Sequence, residues 1–191
     1  LVKPEEIPGA QEATRREGDV HPEGNPHVTL DPIRMITVAE LVRDKLIELD
    51  PANKADYEKN ASELISKLKS KTEEWKKRIE KTGIKKVVTY HKTLDYFIRR
   101  MGLELATVLE PKPGIAPSVG YLVTVVEIMK SKDANTVLIE NFFDPTIQDK
   151  LRELNPKVKV AVVPVSVEGD SNIKNIFDLY ENLVVTLEKL K

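Results

Sequence analysis

The 191 residues include no cysteine. Disulfides and thiolate metal sites are thereby excluded, and any metal site must use His, Asp or Glu. No apolar run approaches the roughly 18 residues that a spanning helix needs. Neither sign of charge is in excess: 30 Lys and Arg face 31 Asp and Glu, for a formal net charge of −1. Bulk electrostatics therefore give no case for nucleic acid or an acidic membrane surface as partner. No internal repeat, low-complexity tract or signal-peptide pattern is visible. The chain opens at Leu1 without a Met, so the expectation is a mature product, a fragment, or a chain whose early part is missing.

What is present suits a soluble α/β protein. Charged residues make up 32% of the chain. The length allows one domain with a good core, or one and a half small ones. Residues 1–30 are rich in Pro, Gly, Glu and Arg with little apolar periodicity, as in the tail end of a domain that begins upstream. Within them, Gly24-Asn25-Pro26-His27-Val28-Thr29-Leu30-Asp31-Pro32 is stiffened by two prolines, which keep the backbone out of a helix until Asp31. Asp31 suits an N-cap with Pro32 in the first turn. His27 then sits on a rigid turn ahead of a helix.

That helix is expected over 32–49, with Met35, Ala39, Val42, Leu46 and Leu49 as one apolar stripe. Asp50-Pro51 repeats the start signal. A second helix, about 52–81, carries Tyr57, Ala61, Leu64, Ile65, Leu68, Trp75 and Ile79 at helical spacing, and Gly83 ends it. Tyr57, Trp75 and Tyr180 count as core. Strands then alternate with helices: strands at 86–90, 103–109, 136–139 and 158–163, helices at 93–101, 118–130, 145–154 and 173–190. Tyr121, Val125, Ile128 and Met129 are expected to face inward from the second of these helices. The apolar runs at 136–139 and 158–163 suggest strands buried on both faces. This pattern predicts a four-stranded parallel sheet with helices on both sides.

In such sheets, sites form beyond the carboxyl ends of strands. His91 follows the first strand, Glu140 follows the third, and Glu168 and Asp170 follow the fourth. The chain has only three histidines, His21, His27 and His91. His27 and His91 with a carboxylate would suit zinc or manganese. Each residue also has a plainer reading. His21 reads as a solvated loop residue. His27 could pack on the helix start, His91 could cap the next helix, Glu140 could belong to a salt bridge, and Asp170 could be a turn residue.

Together these stretches resemble the periplasmic zinc and manganese receptors that feed ABC transporters. Gly24-Asn25-Pro26-His27 with Leu30-Asp31-Pro32 resembles their second ligand motif, and Asp50-Pro51 with Tyr57 and Asn60 the start of their long connecting helix. Tyr90-His91 with Tyr96-Phe97 and Gly102-Leu103 is similar to their third ligand motif. Glu140 stands where the family has an acidic residue, and Glu110-Pro111-Lys112-Pro113-Gly114-Ile115 resembles a loop of one subgroup. The match runs over residues 19–191.

The resemblance implies a two-lobed solute-binding protein, with the remainder of an incomplete N-terminal lobe at 1–50, the connecting helix at 51–82 and the C-terminal α/β lobe at 83–191. It implies a metal between the lobes, held by His27 from the first lobe and by His91 and Glu140 from the second, with Asp170 or Ser166 near a fourth position. The family's first histidine ligand lies upstream of this chain. The His- and Asp-rich loop of many zinc receptors is not in it, which leaves manganese or iron open beside zinc. The implied partner is a membrane permease driven by an ATPase, outside the cytoplasm, with lipid anchoring through an upstream segment. Asp95 is a candidate to orient the His91 ring. No catalysis is expected, since no nucleophile–base pair is visible. The competing readings are a metal-dependent hydrolase and an adhesion protein of the same fold. If half of the first lobe is absent, the apolar face of the helix at 32–49 favours dimerisation.

Overall fold

The computed structural model describes residues 24–191; His21 lies outside the described residues. The stiff stretch does not stay non-helical up to Asp31. A 3-10 turn, Val28–Leu30, forms within it. It follows a tight hydrogen bond of 2.7 Å from the Val28 N–H to the Pro26 carbonyl. Asp31 caps as expected: its Oδ1 accepts from the N–H groups of Ile33 (2.9 Å) and Arg34 (3.4 Å) at the head of helix α1, Arg34–Leu49.

The stripe on α1 is corrected by the structure. No residue of α1 is fully buried. Val42 is 52% and Leu49 69% exposed, while Met35 and Ile36 at its start do pack on the core. The helix lies along α2, Lys54–Thr82, and no described element covers its outer face. At about 1.5 Å per residue α2 is ~44 Å long. Its later half is well anchored, with Leu68, Thr72, Trp75 and Ile79 buried. Tyr57 is not core: it is half-buried, and its hydroxyl donates to Asp50 at 2.8 Å. Gly83, at φ +75°, ends α2 in the left-handed conformation that glycine tolerates best.

Four parallel strands follow: β1 Lys86–Thr89, β2 Glu104–Val108, β3 Thr136–Glu140 and β4 Lys159–Val163, in the spatial order β2-β1-β3-β4. Helices α3 Asp95–Arg100, α4 Val119–Lys132, α5 Ile147–Leu154 and α6 Ile176–Lys189 connect and follow them. The strand pleat sorts the core into two layers. Val87, Leu138 and Val163 face a layer built from α2, α3 and α6. Val88, Val137 and Ile139 face one built from α4 and α5. β3 is buried along its whole length, as its apolar run predicts. β4 is not: it is an edge strand, with Val162 40% exposed. An apolar run alone does not tell a central strand from an edge. On α4 the buried positions are Leu122, Val125, Val126 and Met129, while Tyr121 and Ile128 are only half-buried.

A polar clamp joins α2 to α6. The Trp75 indole N–H donates to Glu181 at 2.7 Å, and the Arg78 guanidinium reaches both Glu181 and Glu188 at 2.6–2.9 Å. These contacts fix the long helix against the sheet unit that carries His91.

Candidate metal centre

Because the four strands are parallel, their carboxyl ends share one edge of the sheet. β1 lies between β2 and β3, so the residue that leaves β1 is flanked from both sides. That residue is His91, in extended conformation at φ −120° and ψ 177°. The ladder runs on beyond the strands. The Leu109 N–H donates to Thr89 O (2.8 Å), the Glu110 N–H to Tyr90 O (3.0 Å), and the Tyr90 N–H to Leu138 O (3.2 Å). This register sets one glutamate on each side of His91.

On the β2 side, Glu110 Oε2 stands 2.5 Å from His91 Nδ1, and its Oε1 accepts from the Gly114 N–H at 2.5 Å. On the β3 side, the Glu140 carboxylate accepts from the His91 backbone N–H at 3.3 and 3.4 Å. Glu140 is fully buried. Burial pushes its carboxyl from the usual 4.5 up to about 7, opposed in part by hydrogen bonds from nearby backbone N–H groups, including that of His91.

His27 arrives from 64 positions earlier in the chain, and its turn is tied to the same unit. The Asn25 amide donates to Lys92 O at 2.9 Å, and the Tyr96 hydroxyl donates to Asn25 O at 2.6 Å. The Arg100 guanidinium pairs with both oxygens of the buried Asp31 at 2.8 and 2.9 Å. The Tyr180 hydroxyl of α6 donates to Thr29 O at 2.6 Å. Asn25 also accepts from the His27 N–H at 3.0 Å. The result is an edge-on contact between His27 and His91, with ring centroids 5.8 Å apart and planes at 90°.

Phe143 walls the site on the β3 side. It stacks on Tyr90 at 3.8 Å and lies 6.5 Å from the His91 ring, with Phe142 exposed outside it.

The sequence-predicted residues thus separate into three groups. His27 and His91 meet. Glu140 joins them through the backbone of His91, not through a ring. Asp170 stands apart on an exposed turn, where its carboxylate accepts from the Asn172 backbone and amide at 3.0 and 3.2 Å. Among the described residues no three His, Asp or Glu side chains are gathered as a ready cage for an ion. Asp95 does not take the orienting place expected of it. It lines a pocket with Arg99, Leu103, Glu104 and Leu105, at the start of β2, whereas the carboxylate on the His91 ring is Glu110 at the other end. Glu110 was legible only through parallel pairing: it lies two residues past β2, as His91 lies two past β1.

Comparison with known proteins adds to this geometry. The family described as zinc-uptake complex component A, periplasmic, matches residues 2–190. The zinc-binding lipoprotein AdcA of Streptococcus pneumoniae is 30% identical over 141 residues, which cover 70% of this chain and 28% of AdcA. Two solved structures are similar in fold. The Zn(II)-bound AdcAII E280Q variant of Streptococcus pneumoniae has a TM-score of 0.73 at 27% identity, covering 98% of this chain and 67% of that one. FpvC of Pseudomonas aeruginosa in complex with Mn2+ has a TM-score of 0.69 at 26% identity, covering 87% and 61%. The chain spans between 28% and 47% of the length of the curated relatives it matches.

Proposed function

The chain belongs to the periplasmic zinc-uptake component A family, and from that premise we propose that it receives a divalent transition metal as cargo, zinc first and manganese next. His27 and His91 are the nitrogen donors. Glu140 is the carboxylate that balances the ion's charge from one side of His91. Asp170 is an outer candidate that would first have to release Asn172. The metal passes to a membrane permease of an ABC transporter, outside the cytoplasm, and the protein acts as a receptor, not an enzyme. The division into residues 1–50, 51–82 and 83–191 belongs to the same proposal. Among the described residues no helix is long and apolar enough to cross a membrane.

The observation that carries this reading is the meeting of the two histidine rings. Two imidazoles on one tetrahedral zinc, with bonds of about 2.0–2.1 Å, hold their centroids about 5 Å apart. The rings stand at 5.8 Å, close to that separation. Both rings sit on backbone that the sheet and the turn already fix.

The test is calorimetric titration of zinc and manganese into this chain beside His27→Ala and His91→Ala. The expected result is one ion per chain, with binding lost in both variants. Binding that survives in both would place the metal elsewhere. No binding in the parent would remove the proposed site from this chain.

A further inference from the structure

We propose that Glu110 is a positioning residue that sets the tautomer of His91, holding the ring proton on Nδ1 so that Nε2 offers its lone pair to the cation. This rests on the receptor reading above, and it adds the residue that makes His91 a competent donor.

The argument starts from what each atom can do. An ionised carboxylate only accepts hydrogen bonds, and a neutral imidazole carries one N–H and one lone pair. Glu110 Oε2 stands 2.5 Å from His91 Nδ1, so the two share one hydrogen bond; with Nδ1 as its donor, the lone pair falls on Nε2. The carboxylate cannot turn away to relax this. Its other oxygen accepts from the Gly114 N–H at 2.5 Å. Gly114 stands at φ +80°, where glycine is favoured, inside a turn closed by the Ile115 N–H on Lys112 O at 3.0 Å. The main chain of Glu110 is held as well, since its own N–H donates to Tyr90 O. Glu110 is buried, so water competes little for either oxygen.

The two glutamates beside His91 thus divide the work. Glu140 grips the backbone of His91 and Glu110 grips the ring. A carboxylate behind a ligating histidine both orients the ring and raises its basicity. It also makes the Glu110–Gly114 turn part of the site, because that turn fixes the plane of the carboxylate.

Glu110→Gln tests this with almost no change of shape. The Gly114 N–H still requires an acceptor, so the amide oxygen stays on Gly114 and the amide NH2 faces His91 Nδ1. An NH2 group donates, so Nδ1 becomes the acceptor and the ring proton moves to Nε2, toward the metal. The readout is the two-bond nitrogen–proton pattern of the metal-free chain labelled with nitrogen-15 at histidine. It is recorded near pH ~8, above the usual histidine range. Each of the three histidines is assigned by its own alanine variant. The expected results are an Nδ1–H tautomer at His91 in the parent, an Nε2–H tautomer in Glu110→Gln, and a roughly 10–100-fold loss of zinc affinity in the variant. A parent His91 in the Nε2–H form overturns the proposal, with no need of the variant to fold. An unchanged tautomer in a folded Glu110→Gln overturns it too. If the parent shows the Nδ1–H form yet binds no zinc, the receptor reading fails while the role of Glu110 toward the ring stands.

Discussion

Glu140→Gln separates the charge of a buried carboxyl from its shape. Burial raises the Glu140 carboxyl from 4.5 to about 7 in the folded chain. The folded state therefore binds more protons than the unfolded state between those values. By linkage, stability falls as pH rises through that window, by at most about 1.4 kcal/mol per pH unit. The stabilisation is fully present below about 4.5 and lost above about 7; the full interval corresponds to ~3 kcal/mol. Glutamine cannot ionise, and its amide oxygen still accepts from the His91 N–H. Against this, its NH2 needs a partner, which costs roughly 1 kcal/mol. The metal-free variant should match or fall slightly below the parent at pH 5, and exceed it by about 2 kcal/mol at pH 8. The assay is urea denaturation in chelator at unit steps of pH. The two chains are otherwise identical, so the difference between the two profiles isolates residue 140. Parallel profiles would refute the reasoning. Zinc adds a second check: a cation beside His91 favours the ionised carboxyl, so binding near pH 6 should release a proton from the parent that Glu140→Gln does not release.

Arg100→Met leaves the buried Asp31 with Arg34 and two backbone N–H groups, so the cost should be about 2 kcal/mol, below the ~3–5 of a fully orphaned buried charge. The urea midpoint measures it, and zinc affinity should fall with it, although no donor is removed. Gly83→Ala places a Cβ at φ +75°, in open space but in a strained backbone, and should destabilise by about 1 kcal/mol in the same assay. Leu46→Lys with Leu49→Lys should leave stability within ~0.5 kcal/mol, because both residues are exposed. Sedimentation velocity should show any dimer of the parent lost in that double variant; a dimer that persists would place the interface elsewhere.

The order of elements was legible because the signals were local. Val137, Leu138 and Ile139 form a short apolar run between turn residues, and Gly83 marks a helix end through its own backbone freedom. The meeting of His27 with His91 was legible only through the family resemblance, since 64 residues separate them and no local spacing encodes the contact. Three features needed the third dimension. β4 has the composition of a central strand, and only the strand order makes it an edge. The outer face of α1 has core periodicity but no covering element among the described residues. Glu110 reaches His91 through the register of parallel strands, which the sequence does not print. Asp95 was the nearer carboxylate along the chain, but side chains four apart help each other only within one helix. His91 lies outside α3.

On the proposed reading, the ties from Asn25, Thr29 and Asp31 to Lys92, Tyr96, Arg100 and Tyr180 would make the histidine pair a chelator whose bite belongs to the fold. The ordering of the two donors is completed during folding, so an arriving ion does not have to supply it. An ion held there that slipped from one ring would stay on the other, while the first remained close at high effective concentration. Escape then requires both bonds to open together. In that proposed site, residues that never touch the ion, Arg100 and Tyr180 above all, would set how long it stays.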